Sequence, residues 1–145
     1  MELTIFNQNK MEIYDNLVPE DYFLRMQHLM VNGAGAVDSK GNFFEWMWSA
    51  NKARGQEEEH PYNFQFVHMF YGGSDYEFRV ISRHWDMIIP MLDHFKARTL
   101  FRVKANLTTR TPERFTYSMH KDVNLPKDVP FKTAIFYLNT NDGKT

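Results

Sequence analysis

Two His-x-Asp triplets, His84-Trp85-Asp86 and His120-Lys121-Asp122, carry the residue types that hold a divalent ion. An imidazole and a carboxylate two residues apart share one ion only if the backbone sends both to the same side. A strand does this, because its side chains alternate with period two. A helix does not, because such residues stand about 200° apart around its axis. The chain around His84 has helical spacing, with Trp85, Ile88, Met91, Leu92 and Phe95 on one face, so its triplet is expected to be structural. Phe115 to Val123 is rich in aromatic and β-branched residues and is expected to be a strand. That makes His120 and Asp122 the candidate metal ligands; the competing reading of the pair is a solvated strand end. The chain has no cysteine, so any metal must sit on His and carboxylate.

The elements that must position these residues are punctuated by Gly and Pro. Lys10 to Tyr14 is expected as a short strand, followed by a helix that starts at Pro19 and ends at Asn32-Gly33. Glu20 and Asp21 place negative charge at its start, and Tyr22, Met26, Leu29 and Met30 recur at helical spacing. Asn42 to Ser49 is expected as a strand, Asn51 to His60 as a polar surface loop, and Asn63 to Phe70 as a strand closed by Gly72-Gly73. Ser82 is a plausible N-cap for the second helix, which Pro90 kinks or splits. Strands are then expected at Leu100–Asn106, Phe115–Val123 and Phe131–Asn139. Helices first and consecutive strands later imply an α+β domain.

The 145 residues are 43% apolar and 24% charged, the balance of one globular domain, and no repeat or low-complexity tract divides them. The formal charge of −1 supplies no bulk field to attract nucleic acid or an anionic membrane. The amino terminus lacks the basic start and apolar run of a secretory signal, and no stretch approaches the ~20 apolar residues of a membrane span. A cytoplasmic protein is expected, within the host cytoplasm if the source is viral.

The text Phe115-Thr116-Tyr117-Ser118-Met119-His120-Lys121-Asp122, followed by Lys132-Thr133-Ala134-Ile135-Phe136-Tyr137-Leu138-Asn139 and Gly143-Lys144-Thr145, closely resembles the Fe(II)- and 2-oxoglutarate-dependent dioxygenases of the prolyl-4-hydroxylase-like type, especially the small bacteriophage forms. That family has a Tyr three residues before the His of His-x-Asp, then a strand ending Tyr-Leu-Asn, then a Gly-x-Thr turn. Phe101 to Leu107 also looks like the phage members, so the specific match runs from Leu100 to Thr145, and the opening strand and helix agree more loosely.

The resemblance implies a double-stranded β-helix, or jelly roll, with bracing helices. It implies iron on a two-His, one-carboxylate set and 2-oxoglutarate as a cosubstrate that is decarboxylated to succinate while the substrate loses hydrogen. His120 and Asp122 match the first two ligands, and Tyr137 matches a position that hydrogen-bonds the keto acid. Thr133, Ile135 and Tyr137 share a strand face while Lys132 points away, which favours Tyr137 over Lys132 as the cosubstrate contact. Tyr117 is a second candidate, and Asn106 is the nearest polar residue to where the family often has an earlier Tyr. The family's second His and its distal Arg or Lys have no counterpart after Asp122. The chain is therefore expected to be the amino-terminal part of such an enzyme, with residues 1–99 a strand and helix scaffold and residues 100–145 the first strands of the metal-binding core. Copies are expected to pair through an exposed edge of the Lys132–Asn139 strand, which is uncharged and free of proline after Lys132. The primary substrate is not legible. A non-catalytic jelly-roll binding or assembly module is the alternative.

Of the other histidines, His28, His60, His84 and His94 are expected to be surface or structural. His68, inside an aromatic strand, is expected to be a core residue bonded to backbone. Phe43, Phe44, Trp46 and Trp48 are expected to pack under the sheet rather than line a groove, and Arg102, Lys104 and Arg110 to be a solvated edge rather than a nucleic-acid surface.

Overall fold

The computed structural model describes residues 2–7, 10–31, 36–50, 61–73, 77–113, 129 and 131–140. They form a mixed α+β structure with antiparallel strands and two α-helices. The elements are β1 (Glu2–Asn7), β2 (Lys10–Asp15), α1 (Glu20–Met30), β3 (Met47–Ser49), β4 (Gln65–Gly72), β5 (Arg79–Val80), α2 (Ile89–Phe95), β6 (Val103–Leu107) and β7 (Thr133–Phe136). The chain divides into two compact units. The first comprises Met1–Phe44, Met87–Ala97 and Leu125–Thr145, and the second Glu45–Asp86 and Arg98–Asn124.

In the first unit β1 pairs with β2 on one side and β7 on the other, all antiparallel. α1 begins one residue later than its Pro19 signal suggests. Pro19 is the N-cap in extended geometry, and its carbonyl accepts the Phe23 N–H at 3.0 Å. Met26, Leu29 and Met30 are buried along one stripe, as their spacing predicts. Phe23 packs edge-on against Phe136 of β7, and the Gln27 amide donates to the Leu138 carbonyl at 2.7 Å. These contacts anchor the carboxyl end of β7 to the helix. Tyr22 donates its hydroxyl to the Met87 carbonyl, which ties α1 to the segment entering α2.

In the second unit β4 is the central strand. β6 runs antiparallel along one edge, from Phe66↔Leu107 to Tyr71↔Val103, with an irregularity between Met69 and Tyr71. Along the opposite edge β4 pairs first with β3, through Gln65, Phe66 and Val67, and then with β5, through Tyr71 and Gly72. His68, Phe70 and Gly72 are buried on alternate positions, the period-two signature of a strand face turned inward. Phe70 is 1% exposed.

Two expectations need correction. The strand expected over Asn42–Ser49 is reduced to Met47–Ser49, because Asp38 commits the preceding residues to a turn. Its carboxylate accepts the backbone N–H groups of Lys40 and Asn42 and the Asn42 side-chain amide. Two of the run's aromatics do not pack under a sheet: Phe43 is 60% exposed and Trp48, on the three-residue β3, 64% exposed, whereas Phe44 and Trp46 are half-buried. The helix expected from Ser82 is split, as Pro90 allows. A short 3-10 turn over Trp85–Met87 precedes α2, which holds Pro90 in its first turn, where the missing N–H costs no hydrogen bond. Among the described residues, no helix is long and apolar enough to cross a membrane.

Candidate functional site

The residues that the resemblance assigns to metal and cosubstrate divide into placed and unplaced. His120, Asp122 and Tyr117 lie outside the described residues, as do all of Phe115–Val123, expected as a strand, and Gly143-x-Thr145, expected as a turn. Asn106 is placed on β6, in the second unit, where it is exposed and opposes Val67 of β4. Tyr137 is placed in the first unit, half-buried and one residue past the end of β7. The strand expected over Phe131–Asn139 is thus shorter at both ends, with Lys132 exposed ahead of it and Leu138 held to α1 by Gln27. Arg102 and Lys104 are half-buried at the start of β6, and Arg110 is exposed beyond its end.

Among the described residues, no three His, Asp or Glu side chains come together as a metal site. The pair that the resemblance assigns to the metal, the imidazole of His120 and the carboxylate of Asp122, lies outside the described residues. Neutral nitrogen with anionic oxygen, in a chain without thiolates, is a set that suits Fe(II), so the residues present fit the implied ion in kind.

A second polar constellation is fully placed, in the second unit. His68, on β4, is 8% exposed, and both of its ring nitrogens are engaged. Nδ1 lies 2.6 Å from the Glu45 carbonyl oxygen, which only accepts, so Nδ1 carries the proton and donates. Nε2 is then the bare nitrogen, and it accepts the Ser82 hydroxyl at 2.6 Å. Ser82 Oγ in turn accepts the His84 backbone N–H at 3.0 Å, and the Ser82 carbonyl receives the Trp85 N–H at 3.3 Å. Ser82 thus closes the turn that leads into the 3-10 segment while also serving His68, whereas α2 has Ile88 as its N-cap, with no side-chain cap bond. The His84 ring is 3% exposed with its centroid 5.9 Å from that of His68, and Phe70 stands edge-on to His68 at 4.7 Å. Burial pushes the His68 pKa below its ordinary value; the Glu45 carbonyl opposes that shift, and the neighbouring His84 adds to it.

The expectation that His68 is a core histidine bonded to backbone is met at Glu45. Its partnership with Ser82, 14 residues away in sequence, has no sequence signal of its own. The only available hint is that β4 and β5 close a hairpin at Gly72-Gly73, which brings the residues after β5 back alongside β4. Comparison with family models, with curated proteins and with solved structures finds no match to this chain.

Proposed function

We propose that the chain is an Fe(II)- and 2-oxoglutarate-dependent oxygenase of the hydroxylase type, built on a jelly-roll core, with His120 and Asp122 as metal ligands. Tyr137, Tyr117 and Asn106 are the cosubstrate contacts in this reading. The observation that carries it is the joint pattern from Tyr117 to Thr145, in which Tyr, His-x-Asp, Tyr-Leu-Asn and Gly-x-Thr follow in the family's order. Two placed features support it: Thr133–Phe136 is a strand, and Val103–Leu107, the stretch that looks like the phage members, is another. The iron and keto acid would supply oxidative decarboxylation coupled to oxidation of a substrate C–H bond. The protein's part would be to present imidazole and carboxylate from one side of a strand, with the Tyr137 hydroxyl as a hydrogen-bond donor to the keto acid.

Anaerobic titration of the folded chain with Fe(II) and then 2-oxoglutarate tests this reading. The expected result is uptake of Fe(II), followed by the visible absorption band of an iron-bound keto acid. His120→Ala and Asp122→Ala should each weaken Fe(II) uptake by more than the roughly 10–100-fold that loss of a supporting partner costs. A folded chain that takes up no Fe(II), or whose uptake survives both substitutions, overturns the assignment and favours the non-catalytic module.

A further inference from the structure

Among the described residues, β4 has a gap along one edge. β3 covers that edge only as far as Val67, and β5 begins only at Tyr71. Between them the strand is held by the segments that enter β3 and leave β5, and three interactions fasten those segments together. The His68 imidazole donates to the Glu45 carbonyl and accepts from the Ser82 hydroxyl. The Phe70 carbonyl accepts the N–H groups of Ile81 at 2.8 Å and Ser82 at 3.3 Å. At the surface, Arg83 pairs with the Glu45 carboxylate at 3.2 Å. The last is solvent-exposed on both sides and contributes little. The two bonds of His68 are the buried part of the fastening.

We propose that His68 is a proton-operated clasp: its neutral ring bridges Glu45 and Ser82 across the gap in the β4 edge, and its protonation releases the Ser82–His84 segment from β4.

The geometry dictates the sense of the switch. A neutral ring with its proton on Nδ1 satisfies both partners at once. A second proton, on Nε2, meets an oxygen that was donating to it and already accepts the His84 N–H. The Ser82 hydroxyl proton then loses its acceptor in a buried place, which is costly. The new positive charge is also opposed by the neighbouring His84. From the segment before β3 the Glu45 carboxylate favours the charged ring, but it is shared with Arg83. From the segment after β5 come the Arg83 cation itself and the buried His84 ring, and the next acid, Asp86, is exposed in the 3-10 turn. From β6 the residue opposite is Ala105, and the neighbouring Lys104 alternates onto the other face. The bond to Ser82 is the one that a proton on Nε2 must break, and reaching water relieves the imidazolium. Moving Ser82 away does that, and it also breaks the bond that fixes the His84 amide.

The sign follows from linkage. His68 binds its proton less readily when folded than when unfolded. The stabilisation is complete above the unfolded value of 6.5 and is lost as pH falls from there through the lower folded value.

The test is a titration of the full chain by NMR, following the His68 ring and the exchange of the His84 and Ile81 amides from about pH 7.5 to about pH 5. The His68 midpoint should lie below that of an unstructured histidine. Protection of the His84 amide, corrected for intrinsic exchange, should fall by roughly tenfold or more over that range while protection in β1 and β2 does not. His68→Gln should abolish this pH dependence and His84→Gln should retain it, which separates the two imidazoles. A His68 midpoint at or above the ordinary histidine value, or protection of the His84 amide that is indifferent to pH, overturns the clasp. The wild-type titration decides the matter alone if either variant fails to fold.

Discussion

Phe70 shows how little of the second unit's core is redundant. It is the largest fully buried side chain among the described residues, 1% exposed, and its ring stands edge-on to His68 while its carbonyl gathers two N–H groups from the far side of the hairpin. Truncation to alanine removes the ring from a site whose walls are held by backbone bonds, so the cavity cannot collapse freely. Phe70→Ala is expected to cost about 3–5 kcal/mol of the unit's stability, read by denaturant titration followed through amide signals of β4 and β6. A loss below about 1 kcal/mol would mean that the ring is not the packing centre the burial implies. At this scale the sequence is informative about type and silent about partner. That His68 and Phe70 share an inward face follows from their spacing. That the histidine's second nitrogen meets Ser82 depends on where a hairpin returns, which no local pattern encodes. Tyr14 is similar. Its hydroxyl donates to Glu12 at 2.7 Å, and that carboxylate pushes the phenol pKa above its usual value, yet i and i+2 side chains on one strand face are all that could suggest it.

Elements are legible where one period persists and a turn residue closes it. β2, α1 and β4 meet their expectations within a few residues, since each has a clear alternation or helical stripe. β1 has strand composition in Leu-Thr-Ile-Phe, but its role depends on a pairing with β7 more than a hundred residues later. The aromatic run before β3 misled because aromatic content signals strand propensity, while the Asp38 turn ahead of it decided how much of the run could pair. The metal-binding strand expected over Phe115–Val123 lies outside the described residues, and the iron titration is its test. The hairpin between β4 and β5 supports a direct comparison of neighbouring glycines. A Cβ on Gly73 would run into the Glu77 carbonyl and lie 3.1 Å from the Phe78 Cα, and backbone cannot give way cheaply. A Cβ on Gly72 meets only the flexible Met69 side chain, at 3.4 Å from its sulfur. Gly73→Ala is therefore expected to lower stability by about 1–3 kcal/mol and to loosen the Tyr71↔Val80 pairing, with Gly72→Ala nearer to neutral. Equal midpoints for the two variants in chemical denaturation would show that the turn is more pliant than its close approach suggests.

Over the whole molecule, sequence order and compact units do not coincide. The chain passes from the first unit to the second after Phe44, back after Asp86, across again after Ala97, and back once more after Asn124. The second unit is consequently assembled from two stretches, and its central strand owes its partners to both. β3, β4 and β5 come from the first stretch, whereas β6, which runs along the whole other edge of β4 from Phe66 to Tyr71, comes from the second. A fragment of residues 45–86 would keep the hairpin and the His68 clasp but leave that edge of β4 with unpaired N–H and C=O groups. The remaining pairings are three residues with β3 and two with β5. So short a ladder is marginal in water, and the apolar face of His68 and Phe70 would lose the cover that pairing brings. Residues 45–86 alone are thus expected to be unfolded, with collapsed amide dispersion in a proton–nitrogen spectrum, while residues 45–124, which add β6, should recover dispersion and show backbone proximities between β4 and β6. A dispersed spectrum from the shorter fragment would mean that the clasp and hairpin hold β4 without its long partner. The His68 bonds would then be the main support of the unit, and its acid response should be correspondingly larger in that fragment than in the full chain.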